Sequence, residues 1–202
     1  MLRRTFIALS AAACFTSLPA FALTEAEALK KAEDYLNGIK TLKAHFIQVN
    51  PDGKSVEGDA YISRPGRMRL VYDPPTPILL VADGAFLIYV DTEMKDASHI
   101  DLGDTPAGLL LKENLSFRDP AVKLGGVKFG PGTIEITAAM SKDPTQGKLT
   151  LVFSDQPFEL KQWRVLDAQN KEVTVTLYEP KVGIPLDKSL FVYDTRKSGG
   201  RE

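Results

Sequence analysis

The spacing of the apolar residues changes from helical to extended near residue 40. Between Leu29 and Ile39 they recur every three or four positions, directly after a Thr-Glu-Ala-Glu capping box. Asn37-Gly38 then provides a typical helix stop. This pattern predicts an amphipathic helix over residues 25–36.

After this helix, apolar and polar residues alternate in segments separated by Gly, Pro, Asp or Asn turns. We predict strands over residues 42–49, 56–63, 67–73, 78–82, 85–90, 133–140, 148–154, 159–167, 172–179 and 190–194. Two further segments fit no strand pattern: residues 91–104 are predicted to form an acidic loop, and residues 122–129 an irregular Gly-rich stretch. The regular spacing of the strands indicates one large, strongly curved antiparallel sheet or an open barrel.

Asp83-Gly84 separates two apolar runs and predicts a tight hairpin with a type I′ turn. Pairing across the turn gives two apolar faces, one with Leu79, Val81, Phe86 and Ile88, the other with Ile78, Leu80, Leu87 and Tyr89. An antiparallel sheet normally turns one polar face to water. Two explanations are open. The first, which the hairpin pattern taken alone favours, is that a helix and a second layer cover the two faces. The second is that one face lines a cavity for an apolar ligand.

A short helix with unusual side chains follows the acidic segment. Thr105-Pro106 supplies an N-cap and a first-turn proline for a helix over residues 107–112. Its consecutive leucines, Leu109, Leu110 and Leu111, point in several directions around the helix axis. We therefore expect this helix to have no fully solvent-exposed side.

The N-terminus has the three regions of a secretory signal peptide: a basic start, an apolar stretch and a small-x-small site ending at Ala22. We expect cleavage after Ala22, which leaves residues 23–202 as a single domain. The single cysteine, Cys14, lies in the removed segment. An exported chain without disulfides depends on its hydrophobic core for stability.

Composition and motifs disfavour several classes of function. The chain carries 25 Lys and Arg against 26 Asp and Glu, so it lacks the basic excess of a nucleic-acid-binding protein. Its two histidines, His45 and His99, have no metal-ligand spacing, and no nucleophile or metalloprotease motif is present. We expect no metal, no cofactor and no enzymatic activity, although carboxylates that no motif selects keep catalysis open as an alternative.

The order of five motifs between residues 42 and 117 resembles the LolA-type periplasmic carriers of outer-membrane lipoproteins. The motifs are Phe46-Ile-Gln48, Val56-Glu-Gly58, Arg64-Pro65, the hairpin of residues 78–89, and Thr105-Pro106 before the leucine run. The resemblance implies a mainly β (α+β) fold, in which one curved antiparallel sheet forms an incomplete β-barrel closed by an N-terminal helix and short lid helices.

The resemblance also implies a function and a site. A periplasmic monomer would take up lipoprotein acyl chains from an inner-membrane lipoprotein-releasing transporter and deliver them to an outer-membrane acceptor. The expected cavity residues are Phe46, Met68, Leu70, Tyr72, Leu79, Val81, Phe86 and Ile88. The expected lid consists of Leu109, Leu110 and Leu111, with Arg64 as a latch on carbonyl groups at a helix C-terminus; the alternative is that Arg64 only precedes a turn.

Physical reasoning favours a carrier that exchanges its lid for lipid. Lipid chains that were simply enclosed would be bound too tightly to release, whereas lid leucines that fill the empty cavity offset part of that affinity. An alternative from another class is an envelope lipid-sensing or adaptor domain with the same fold.

Overall fold

The computed structural model describes residues 23–193, which form one open, eleven-stranded antiparallel sheet with few helices. The strands are β1 (Thr41–Val49), β2 (Ser55–Ser63), β3 (Arg67–Tyr72), β4 (Ile78–Asp83), β5 (Phe86–Asp91), β6 (Asp96–Asp101), β7 (Val122–Gly130), β8 (Thr133–Met140), β9 (Gly147–Ser154), β10 (Glu159–Asp167) and β11 (Glu172–Val182). The helices are α1 (Glu25–Gly38) and α2 (Pro106–Leu110), with 3₁₀ turns at Leu102–Asp104 and Lys188–Phe191. The expected signal peptide and its cleavage site lie outside the described residues.

The sheet order follows the sequence except at one junction. From one edge to the other the strands run β6-β5-β4-β3-β2-β1-β11-β10-β9-β8-β7, so the first and last strands of the chain meet in the middle. Within the described residues, β6 and β7 each pair with one neighbour only and do not close the sheet. The expected open antiparallel architecture is confirmed.

Three segments have a different secondary structure from the one that their sequence predicts. The acidic segment contains β6, and the Gly-rich segment forms β7 with a bulge between Leu124 and Gly126. Their pairing with β5 and β8 supplies the order that their own residue pattern does not indicate. The strand expected from residue 190 is instead the 3₁₀ turn Lys188–Phe191, which packs against β3 and β4.

The hairpin has the expected faces but a different turn. Ala82 pairs with Leu87, which centres the connection on Gly84-Ala85 rather than Asp83-Gly84. The Asp83 carboxylate accepts hydrogen bonds from the backbone N–H groups of Ala85 and Phe86, at 2.8 Å each. Gly84 has a φ of +112° but Ala85 has no positive φ, so the turn is not type I′, which needs positive φ at both positions.

The two faces of the sheet are covered by different parts of the chain. The inner face, defined here as the face that packs against α1 and α2, contributes Phe46, Met68, Leu70 and Phe153 to the main core. The outer face of the hairpin forms a second cluster of Leu79, Val81, Ile88 and Val90. The segment after β11 covers this second cluster with Tyr193, and the Leu190 carbonyl accepts a bond from Arg69 Nη1 at 2.9 Å.

Gly58 provides a test of the β2–β3 packing. A Cβ at Gly58 would lie 2.0 Å from the backbone oxygen of Val71, whereas one at Gly38 meets nothing within 4 Å. We expect Gly58→Ala to lower the free energy of unfolding by about 3 kcal/mol because neighbouring backbone must shift. Gly38→Ala, the control, should leave it unchanged or raise it by up to about 1 kcal/mol. Urea midpoints compare the two variants, and equal midpoints would contradict the close approach.

Candidate functional site

The lid is a single helical turn whose leucines lie inside the main core. Thr105 caps α2 through a bond from Gly108 N–H to its hydroxyl at 3.3 Å, and Pro106 occupies the first turn. Leu109, Leu110 and Leu111 are all buried in the main core, where α2 packs on β8 and β9. The expected short helix without a solvent-exposed leucine side is therefore present.

Arg64 connects the sheet to both helical elements. It follows β2 directly, and its guanidinium donates to the backbone oxygens of Leu36 in α1 and Lys112 after α2, and to Asn37 Oδ1 at 3.3 Å. The carbonyls at the end of a helix carry partial negative charge, which favours a cation there. The position expected of a latch is thus occupied by Arg64, although its role in opening stays a prediction.

The environment of Arg64 makes these bonds more important than those of a surface arginine. Only 8% of the residue is exposed, and within the described residues its Nε has no hydrogen-bond partner. Burial lowers the pKa of the guanidinium from its ordinary value, yet arginine stays protonated in proteins. A charge held in this setting depends on its acceptors, because an unpaired buried charge is strongly destabilising.

A second clamp, which sequence reasoning missed, ties α1 to the segment after the lid. Asn37 Nδ2 donates to the Leu115 oxygen and Asn37 Oδ1 accepts from the Leu115 N–H, both at 2.9 Å. One turn earlier, Glu33 Oε1 accepts from Ser116 Oγ at 3.1 Å and from the Phe117 N–H at 2.6 Å. The i,i+4 spacing of Glu33 and Asn37, which places both on one helix face, is the signal in the sequence, whereas the Asn37-Gly38 pair by itself indicates only a helix stop.

The eight expected cavity residues do not form one surface. Phe46, Met68, Leu70 and Tyr72 lie on the inner face with the main core. Leu79, Val81 and Ile88 belong to the cluster on the outer face, and Phe86 shares that face and is 44% exposed.

The pairing register explains why these eight residues are divided between the two faces. Met68 pairs with Ala82 and Leu70 with Leu80, so even-numbered residues of β4 face inward. Because side chains alternate along a strand, Leu79 and Val81 point outward. The sequence predicted the two apolar faces of the hairpin but assigned the wrong one to the interior.

Tyr72 introduces a polar group beside the inner-face aromatics. Its ring meets Phe46 edge-on at 5.2 Å between centroids, and its hydroxyl donates to Gln48 Oε1 at 2.7 Å. Gln48 Nε2 in turn donates to Asn50 Oδ1 at 2.8 Å. Burial, as the main cause, raises the pKa of Tyr72 to about 12, so the phenol is neutral at physiological pH and acts as a hydrogen-bond donor.

The histidines lie apart, on the outer side of the sheet. His45 Nε2 is 3.4 Å from Glu57 Oε2, and the His99 ring meets Phe86 at 6.1 Å between centroids. Across residues 23–193, no three His, Cys, Asp or Glu side chains are grouped to hold a metal ion. In the same range, no helix is long and apolar enough to cross a membrane.

Comparison with known proteins identifies the family. Residues 37–194 match the model of a family described as outer membrane lipoprotein carrier protein LolA. The chain belongs to the LolA family. It is 30% identical to an outer-membrane lipoprotein carrier protein of Chromobacterium violaceum over 197 residues, covering 93% of this chain and 92% of that one.

Other relatives match over a shorter stretch. An uncharacterized protein of Rickettsia prowazekii is 30% identical over 104 residues, or 52% of this chain, and the match spans 48% of its length. The chain likewise spans 58% of an outer-membrane lipoprotein carrier protein of Dechloromonas aromatica. A solved DUF1329 family protein from Desulfovibrio piger aligns with a TM-score of 0.51 at 10% identity, over 82% of this chain and 95% of that one; it supports the fold alone.

The Asn37 clamp can be tested by removing its amide. We expect Asn37→Ala to lower the free energy of unfolding by about 1–3 kcal/mol, because the buried Leu115 backbone loses both partners. Hydrogen exchange at the Leu115 amide should accelerate correspondingly. Asn114→Ala, an exposed neighbour in the same loop, is the control and should change neither quantity. Equal effects of the two substitutions would show that the clamp contributes nothing.

Proposed function

We propose that this protein is a periplasmic carrier that holds lipoprotein acyl chains between the inner face of its sheet and a displaced lid. The observation that carries the proposal is the burial of three consecutive lid leucines in the core, under an arginine bonded to the lid's end. Membership of the LolA family and the names of its relatives support the same role. The proposed cargo is the lipid part of lipoproteins on their way from the inner to the outer membrane.

The exchange of lid for lipid makes the binding reversible. Each buried methylene contributes about 0.8 kcal/mol, so fully enclosed acyl chains would leave the site very slowly. Expelling a leucine side chain from the core costs about 1.5–3 kcal/mol, and the lid has three of them. The closed lid therefore offsets part of the lipid affinity, with no covalent step and no energy source in this chain.

Arg64 sets how readily the lid opens in this proposal. Its bond to the Lys112 oxygen holds the C-terminal end of the lid, and the Gly66 N–H donates to the Leu111 oxygen at 2.9 Å beside it. The bonds of Arg64 to α1 keep the guanidinium in place when the lid leaves. Opening then breaks few bonds, while the arginine stays oriented for closure.

The partners follow from the same proposal. An inner-membrane lipoprotein-releasing transporter would load the carrier, and an outer-membrane acceptor would unload it. The described residues lie in one sheet with its own core, in keeping with a monomer that moves between the two. The proposal includes no nucleic acid and no cofactor.

Substitution of Arg64 tests the latch. In Arg64→Leu, hydrogen exchange at the lid amides of the empty protein should be at least about tenfold faster, because charge-assisted bonds worth about 1.5–3 kcal/mol each are lost. Uptake of a dipalmitoyl lipopeptide, followed by fluorescence, should accelerate as well. Arg67→Leu, an exposed arginine three residues away, should behave as the wild type. An unchanged lipid exchange rate in Arg64→Leu would eliminate the latch.

Depletion in cells tests the carrier role itself. Lipoproteins of the outer membrane should accumulate at the inner membrane when the protein is depleted. Wild-type protein expressed from a plasmid should restore their delivery to the outer membrane. Native mass spectrometry of the periplasmic protein should show co-purified lipoprotein or phospholipid. Unchanged lipoprotein sorting, together with a protease or anti-sigma factor as the bound partner, would instead establish the lipid-sensing alternative.

A further inference from the structure

The apolar inner face continues beyond the lid to the free edge of the sheet. Ile100 on β6 is 51% exposed and Tyr89 on β5 is 45% exposed, while Met68 and Leu70 on β3 are 3% and 2% exposed. Between them, Leu80 and Leu87 are half-buried against the main core. We call the four residues Ile100, Tyr89, Leu87 and Leu80 the edge strip.

The register places the edge strip on the inner face. Ile100 pairs with Leu87, Leu87 with Ala82, and Ala82 with Met68, which makes one row across four strands. In the next row, Tyr89 pairs with Leu80 and Leu80 with Leu70. Directly paired residues point to the same side of a sheet. The exposed apolar side chains at the edge thus continue without interruption into the buried core.

A groove opens where the edge strip ends. It has a volume of about 350 Å³ and lies between Ile100 on β6 and Met140 on β8. Met140 follows the buried Ile134, Ile136 and Ala138 at every second position, so it too lies on the inner face. A bond of 3.2 Å between the exposed Lys142 and Asp104 crosses the groove beside the N-terminal end of the lid.

We propose that the edge strip and this groove form the entrance through which acyl chains reach the interior. The inference rests on the proposed carrier function and adds the route. The decrease in exposure from Ile100 to Met68 offers an acyl chain apolar contact before the lid moves. The acyl chain then advances along the two inner-face rows toward the lid leucines. The Arg64 end of the lid opens as the chain displaces Leu109–Leu111 from the core.

Charge at the entrance selects the kind of lipid. Acidic side chains lie along the strip and groove. Asp91 and Asp96 pair with each other on the inner-face side of β5 and β6, and Asp104 and Asp143 line the groove, against Lys95 and Lys142. An anionic head group held there would face carboxylates of the same sign. A diacylglyceryl group linked to a peptide carries no charge on the lipid itself. The entrance therefore fits a neutral diacylglyceryl lipopeptide better than a fatty acid or an anionic phospholipid.

Photo-crosslinking in the full chain tests the route. p-Benzoylphenylalanine is placed at Tyr89 or Ile100, and at Tyr178 as the matched control. Tyr178 is 46% exposed, like Tyr89 at 45%, but it pairs with His45 on the outer side of the sheet. With a dipalmitoylglyceryl-cysteinyl peptide as probe, we expect at least fivefold more adduct at positions 89 and 100 than at 178. Equal adduct at all three positions, or adduct at Tyr178 alone, would overturn the entrance.

Kinetics separate the entrance from the carrier function. We expect Tyr89→Lys to slow uptake of the same lipopeptide at least tenfold, while Tyr178→Lys leaves uptake unchanged. Urea midpoints of both variants should equal that of the wild type, because both positions are half-exposed. Normal uptake by a folded Tyr89→Lys variant would refute the entrance while leaving the carrier in place. Failure of the wild type to bind the lipopeptide would refute both.

Palmitate and vesicles of dipalmitoylphosphatidylglycerol, offered to the Tyr89 photoprobe in separate reactions, test the charge selection. We expect each to give several-fold less adduct than the lipopeptide, and the difference should shrink in high salt, which screens exposed charges. Equal labelling by all three lipids at low salt would overturn the selection. A result in which only the anionic lipids label the site would reverse it.

Discussion

Over residues 23–193, the eleven-stranded sheet leaves β6 and β7 without a second neighbour and cannot enclose its own inner face, so other segments must cover the apolar side chains there. In this protein α1 and the lid provide that cover, and both contribute leucines to one core with the sheet. The two covering elements differ in what stabilises them. Helix α1 is long, whereas α2 has a single turn and depends on tertiary contacts for its stability.

Polar contacts hold the segment after the lid more firmly than the lid itself. Glu33 and Asn37 fix residues 115–117 to α1 with four hydrogen bonds, three of them to backbone groups. The lid end receives a side-chain bond from Arg64 and a backbone bond from Gly66. Because apolar contact is non-directional, the lid leucines can be replaced by other apolar groups, but these polar bonds determine where the lid returns.

Most of the sheet could be predicted from residue patterns, because apolar residues recur at every second position of a strand that buries one face. The strands Thr133–Met140 and Glu159–Asp167 have the predicted limits, and the lid helix begins at its Thr-Pro signal. The sequence does not predict strands β6 and β7, because these edge strands carry few buried residues and their patterns lack alternation. The contacts of Glu33 and Asn37 join positions about 80 residues apart, which local patterns do not reveal.

Local periodicity and turn chemistry are enough to establish three features: the hairpin has two apolar faces, the three lid leucines have to be buried, and Arg64 lies at a strand end. Which hairpin face is inner follows instead from long-range pairing, because Met68 pairs with Ala82 and Leu70 with Leu80. The partners of Arg64 also depend on the fold, since its acceptors belong to α1 and the end of the lid, 28 and 48 residues away. Side-chain alternation leaves both sides of a strand equivalent until another element packs against one of them.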